Sequence, residues 1–164
     1  MGEPKGLVLW HGAPMIQAVI DWMTPHVDAV ALATGPHAQL YDRFGVSCLD
    51  EPVAGQAGPA MGLLAGLEWA EGLGADQLLL APCDMPGLPD DLPARLTPPG
   101  FATSPSGNHY ALSLWPVAMR ARIEGLVMDD GVRALRHLLD QIGAGPVSDP
   151  AWPGFSDVND KGGL

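Results

Sequence analysis

The sequence predicts an α/β fold in which a mostly parallel sheet is covered by helices on both faces, giving three layers, α/β/α. Short apolar runs, VDAVALAT at 27–34 and QLLLA at 77–81, alternate with segments of helical periodicity. The runs are mostly apolar rather than alternating, as expected of strands buried on both faces. The 21 glycines and 17 prolines fall between the periodic segments, where turns belong.

The elements follow in order. Met15, Ile16, Val19, Ile20 and Met23 recur at helical spacing opposite Gln17 and Asp21; Pro14 suits the first turn and Thr24-Pro25 the end. Residues 27–34 form a strand closed by Gly35-Pro36, followed by a short helix over 38–44 and a short strand over 46–49. Gly58-Pro59 opens a helix to about Glu71, and residues 77–81 form a second buried strand. Residues 89–96 suit a turn or two of helix, and 100–103 and 111–114 are strand candidates. Two helices are expected over 117–126 and 131–142. The second has Asp130 as N-cap, Val132, Leu135, Leu139 and Ile142 on one stripe, and Gly143 as its stop.

Bulk properties limit the function. A chain of 164 residues can bury a real core as a single domain, and 47% hydrophobic against 16% charged residues argues against disorder. The net charge of −11 argues against nucleic acid or an anionic membrane surface as partner, though a locally positive nucleotide pocket is compatible with it. No apolar run has membrane-spanning length, and a cytoplasmic location is expected. Cys48 and Cys83 make no disulfide framework. The five histidines show no zinc spacing, Ser104 and Ser106 sit in no nucleophile elbow, and neither a complete Walker loop nor G-x-G-x-x-G is present.

Open α/β sheets bind ligands at the carboxyl ends of their strands. Asp84 leaves such a strand end in the proline-stiffened segment Pro82-Cys83-Asp84-Met85-Pro86. A carboxylate there suits Mg²⁺, with substrate phosphates and water completing the shell; a turn or capping aspartate is the alternative. Gly58 permits close backbone approach and Pro59 suits the first helical position, so this helix start offers N–H donors to a ligand. An ordinary glycine-led helix, with Gly62 and Gly66 packing closely on the sheet, is the alternative.

Met1-Gly2-Glu3-Pro4-Lys5, Gly58-Pro59-Ala60-Met61-Gly62, Pro82 to Pro86 and Asp157-Val158-Asn159 together resemble, in order, the molybdenum cofactor guanylyltransferase family of MobA-like nucleotidyltransferases. The N-terminal signature of that family is written L-A-G-G-x-x-x-R-M-G-x-D-K, and the present sequence starts at its Met. The resemblance covers nearly the whole chain. It implies a Rossmann-like nucleotidyltransferase fold and transfer of GMP from GTP to the terminal phosphate of molybdopterin, with release of pyrophosphate. On this resemblance Lys5 neutralises phosphate charge and Gly2 permits the loop's approach. Gly58, Pro59 and Gly62 line the nucleotide pocket, and Asp50 or Glu51 accepts hydrogen bonds from guanine unless both are solvated loop charges. Asp84 and Asp157 hold Mg²⁺, while Asn159 and His109 face the acceptor; a structural hydrogen bond is the alternative for His109. The leucine- and arginine-rich helix over 131–142 fits the guanylyltransferase branch.

The sequence departs from the family at Pro4, which replaces Asp, and at Asn108-His109-Tyr110, which lacks the Arg and Pro of R-x-H-P. It departs again at Asp160 to Leu164, which replaces T-P-E-D-L. In the family the strand ahead of L-A-G-G is central, so the expectation is a natural protein that extends upstream of Met1. Without that strand, two neighbours would lack a partner and activity would be weakened. Molybdenum cofactor biosynthesis or insertion proteins are the implied protein partners. Two other readings stay open: a relative using CTP or another acceptor, and a non-catalytic remnant that binds a nucleotide or partner.

Overall fold

The computed structural model describes residues 4–50 and 58–158; Gly2, Glu51 and Asn159 lie outside them. A 3-10 turn (Lys5–Leu7) leads into a tight hairpin of β1 (Leu9–Trp10) and β2 (Ala13–Pro14), turned by His11 and Gly12 at φ 47° and 84°. Helix α1 (Met15–Met23) buries Met15, Ile16, Val19 and Ile20, the stripe read from their spacing. It ends where the Thr24 hydroxyl donates to the Ile20 carbonyl at 2.7 Å. Strand β3 (Ala31–Ala33) pairs in parallel with β4 (Ser47–Leu49) across two 3-10 segments. Then follow α2 (Pro59–Gly72), β5 (Gln77–Leu80), α3 (Leu92–Arg95), β6 (Gly100–Ser104) and β7 (Gly107–Pro116). Helices α4 (Arg120–Met128) and α5 (Leu135–Ile142) and strand β8 (Gly145–Val147) complete the described chain.

The class is α/β, with helices on both faces of the sheet as expected, and within it the strand pairings are mixed. The four-stranded sheet runs β5-β7-β6-β8, with β7 antiparallel to both neighbours and β8 parallel to β6. The cause is local: Ser104 pairs with Gly107, so a two-residue turn reverses the chain between β6 and β7. One face of this sheet packs Trp115 and Phe101 against α2, α4 and α5, chiefly through Leu63, Leu67, Ile123, Leu138 and Leu139. The other face packs Leu79, Leu112 and Leu114 against Trp22, Leu92, Trp152 and Phe155.

Two local readings need correction. Helix α5 begins at Leu135, not near Gly131, and Asp130 caps nothing there. Gly131, at φ 71°, instead closes α4, where Asp130 N–H bonds to Gly125 O and Val132 N–H to Leu126 O. Of the apolar run 27–34 only Ala31–Ala33 pairs as strand, because β4 offers just three residues opposite. Strand β8 has no sequence signal, since Gly-Pro-Val carries no period and its pairing with β6 is non-local.

Strand β7 carries a bulge. Phe101 pairs with Ser113 and the next residue, Ala102, with His109, so Tyr110 to Leu112 swing out of the ladder. Ser113, fully buried, spans the bulge: its hydroxyl donates to Tyr110 O at 2.9 Å and accepts from Trp115 Nε1 at 2.8 Å. Strands β3 and β5 do not pair with each other. Between them runs a cavity of about 970 Å³, walled by α1 and α2 and reaching Pro82 and Asp84. Helix α2 lies across both strands through its glycines. A Cβ on Gly62 would stand 3.2 Å from the Ala33 Cβ, and one on Gly66 3.0 Å from Leu78 Cδ2.

Two stability outcomes follow. Ser113→Ala leaves the Trp115 indole N–H without its partner and should cost about 1–3 kcal/mol in denaturant unfolding. Gly62→Leu wedges a side chain between α2 and β3, and an overpacking cost of about 1–3 kcal/mol is expected in the same measurement.

Candidate active site

Asp84 follows β5 by four residues, at the carboxyl end of the strand, with its neighbour Met85 buried as an anchor. Its carboxylate receives Lys5 Nζ at 3.2 Å, and the Asp84 side chain is only 16% exposed. The chain start is held there by packing, since Gly6 lies against Cys83 and Ile16 and Leu7 is buried. Burial, with the Asp84 charge second, pushes the Cys83 thiol above its ordinary pKa, which keeps it protonated and poorly nucleophilic.

Asp157 is brought to the same place by a two-point clamp on the C-terminal segment. At one point Phe155 N–H donates to Ser104 Oγ at 3.2 Å and the Ser106 hydroxyl donates to Phe155 O at 2.5 Å. At the other, Val158 N–H donates to Asp84 O at 2.8 Å. Upstream the segment is pinned by an Arg95–Asp149 ion pair at 2.7 Å and by Trp152 Nε1 bonded to Asp91 at 3.1 Å. Asp84 and Asp157 thus share one cleft of about 440 Å³, whose wall also includes His109 and Tyr110 from β7, where its bulge begins, and Arg136 from α5.

That cleft and the larger cavity meet. Pro59, Pro82 and Asp84 belong to both walls, while Gly58 and Gly62 line the larger side alone. Gly58 stands at φ 139°, a backbone state open essentially to glycine, and its carbonyl accepts from Met61 and Gly62 N–H. Thr34 Oγ1, on the larger wall at the end of β3, is buried without a hydrogen-bond partner among the described residues. Asp50 is exposed after β4 and lines neither space, although its neighbour Leu49 does.

Among the described residues no group of three or more His, Cys, Asp or Glu side chains is placed to hold a metal ion. The donor set nevertheless fits Mg²⁺, which keeps its waters and takes one or two carboxylates plus substrate phosphate rather than an all-protein cage. Two aspartates on one cleft supply that number. Sequence reasoning missed Ser104, Ser106, Thr34 and Arg136. Ser104-Pro105-Ser106 reads as a turn, and nothing in it announces a partner 49 residues away.

His109 serves the clamp as well as the cleft: its Nε2 is 2.8 Å from Ser104 Oγ and its ring packs, tilted, against Phe155 with centroids 5.1 Å apart. Burial holds the imidazole below the usual histidine range, with the Asp157 charge pulling the other way. The folded chain therefore favours neutral His109. As pH falls, the unfolded chain binds that proton first, so stability is present above the ordinary histidine pKa and is lost below it. In melts between about pH 7 and 5, His109→Gln should lose less stability than the unaltered protein. Parallel acid slopes would show that His109 is not the sensitive group.

The sequence and shape of the chain have known counterparts. The profile of the MobA-like NTP transferase domain matches residues 1–144. A molybdenum cofactor guanylyltransferase of Acidiphilium cryptum is 34% identical over 160 residues, covering 97% of this chain and 79% of the relative. That of Rhodobacter capsulatus is 38% identical over 141 residues, covering 83% and 72%. In fold, the molybdopterin-guanine dinucleotide biosynthesis protein A of Archaeoglobus fulgidus superposes with a TM-score of 0.69 at 15% identity, covering 90% of this chain and 76% of that one. A glycine-led helix start, a strand-end aspartate and a second carboxylate brought to it from the far end of the chain are thus set in a nucleotidyltransferase fold, and the chain belongs to the MobA-like NTP transferase family.

Proposed function

We propose that this protein transfers GMP from GTP to molybdopterin, giving the guanine dinucleotide form of the molybdenum cofactor and pyrophosphate. The observation that carries the reading is the position of Asp84 at the junction of two spaces, with helix-start glycines on one side and Asp157 and His109 on the other. A two-substrate transfer needs that layout. The nucleotide lies along Gly58, Pro59 and Gly62, with Thr34 Oγ1 as a spare polar partner on its wall. The acceptor enters the smaller cleft beside His109, and the α-phosphorus lies where the two spaces meet.

An oxygen of the acceptor's terminal phosphate attacks the α-phosphorus from the cleft. The bond from that phosphorus to the α–β bridging oxygen breaks, and pyrophosphate leaves with the electron pair. Little covalent chemistry falls to the protein, which positions the groups and offsets charge. Asp84 and Asp157 would hold Mg²⁺, which supplies charge neutralisation and a template for the phosphates. Lys5, within 3.2 Å of Asp84, provides a cation at the same junction. Asp50 and Glu51 follow β4 and remain the candidates to accept from the guanine edge. Gly2 and Asn159, at the chain ends, retain their proposed roles in the phosphate loop and at the acceptor. We place the reaction in the cytoplasm; among the described residues no helix is long and apolar enough to cross a membrane. Any cofactor-insertion partner would meet a chain of net charge −11.

Asp84→Ala should lower GMP transfer by roughly 10²-fold or more, the loss of about 3 kcal/mol of transition-state stabilisation. The Mg²⁺ requirement should rise and the far-UV spectrum should stay unchanged. An Asp84→Ala protein that turns over normally would refute the assignment. Offering GTP and CTP separately to the unaltered protein tests the base: turnover with CTP alone would move the reading to a cytidylyl transfer.

A further inference from the structure

The acceptor's phosphate is an anion entering a cleft that already holds two carboxylates, in a chain of net charge −11. It needs a fixed cation there. Of the eight basic residues, Lys161 lies outside the described chain, and six others are already engaged, Lys5 with a carboxylate of the junction itself. Lys5 is on Asp84, and Arg43 lies over the Phe44 ring at 5.0 Å. Arg95 pairs with Asp91 and Asp149, and Arg120 with Glu71 and Glu124. Arg122 donates to Gln141 O and Arg133 to Val127 O. Arg136 differs. It is the basic side chain on the wall of the acceptor cleft, with Asp84, Asp157 and His109. Its Nε donates to His137 Nε2 at 3.1 Å, and it makes no ion pair with a carboxylate among the described residues.

We infer that Arg136 binds the terminal phosphate of the acceptor and orients it toward the α-phosphorus. The inference rests on the transfer reaction proposed above. Guanidinium suits the task because its planar fork donates two parallel hydrogen bonds to phosphate oxygens and stays charged at any working pH. With Nε committed to His137, the terminal amino groups remain for the phosphate. The neighbouring Leu135 is buried in the core, so the position of Arg136 on the cleft is set by packing of α5 rather than by a flexible loop. A cation on the α5 wall complements the junction carboxylates: the metal side draws the nucleotide phosphates, and the arginine side draws the acceptor.

The test compares the unaltered protein with Arg136→Ala and Arg136→Lys. Two readouts are used: steady-state GMP transfer, and co-elution of molybdopterin on gel filtration without GTP or Mg²⁺. For Arg136→Ala the KM for molybdopterin should rise roughly 10- to 100-fold, the range of one lost charge-assisted hydrogen-bonding group, and co-elution should fall in parallel. The KM for GTP and the melting temperature should hold. Arg136→Lys should recover part of the affinity, as a point charge without the fork. If the unaltered protein transfers GMP and Arg136→Ala keeps its KM and co-elution, the Arg136 assignment is wrong and the transfer reading survives. If the KM for GTP rises equally, or the melting temperature falls, the arginine is structural and the assignment is again wrong. If the unaltered protein neither transfers nor retains molybdopterin, the functional reading itself fails and takes this inference with it.

Discussion

Strand β7 is the element on which the rest of the molecule depends. It is hydrogen-bonded on both sides, to β5 and to β6, so it alone joins β5 to the β6–β8 pair. Its side chains also supply both cores: Trp115 enters the cluster under α2, α4 and α5, and Leu112 and Leu114 enter the one under Trp152 and Phe155. A ten-residue strand could do this with strict alternation, but β7 does not alternate throughout. The bulge breaks its period and puts Tyr110 on the cleft beside His109, while one buried hydroxyl, Ser113, meets the polar needs of the departure. A bulge beside a functional cleft re-aims side chains without ending the strand.

The charge arrangement is asymmetric. An acidic chain places two carboxylates at the mouth of its sheet, which is costly only if nothing positive joins them. Lys5 already does so on one side, and the acidic surface elsewhere keeps most other cations in ion pairs or on backbone carbonyls. Local positive charge is therefore scarce and confined. In such a molecule, phosphate-bearing ligands are directed less by the net field than by where the few available cations stand.

Much of this could be read from the sequence, for physical reasons. Helices α1 and α2 declare themselves because their buried faces recur at the helical period or follow a Gly-Pro start. Asp84 is legible because it comes four residues after an apolar strand, so local order alone puts it at the carboxyl end of the sheet. What was hidden is whatever depends on a distant partner. Ser104 and Ser106 look like turn residues until Phe155 arrives, and β8 has no signal apart from its register with β6. Gly131 misled for another reason: a glycine between two helical stretches can open one or close the other, and here its left-handed conformation closes α4. The start of α5, and with it the placement of Arg136, depended on that choice.

The Asp84 carbonyl accepting from Val158 N–H joins the middle of the chain to its C-terminal segment, and the Lys5–Asp84 pair spans 79 positions. The junction of Asp84 and Asp157 is therefore built almost wholly from long-range closures, each of which must overcome loop entropy before it contributes anything. Closures of this span are the entropically costly ones, whereas the β6–β7 hairpin is joined by a two-residue turn. The segment carrying Asp157 is anchored by few large side chains, Trp152 and Phe155 foremost. Fraying there would dismantle the junction while leaving nearly all the secondary structure in place, so catalytic competence and bulk foldedness are separable properties of this chain.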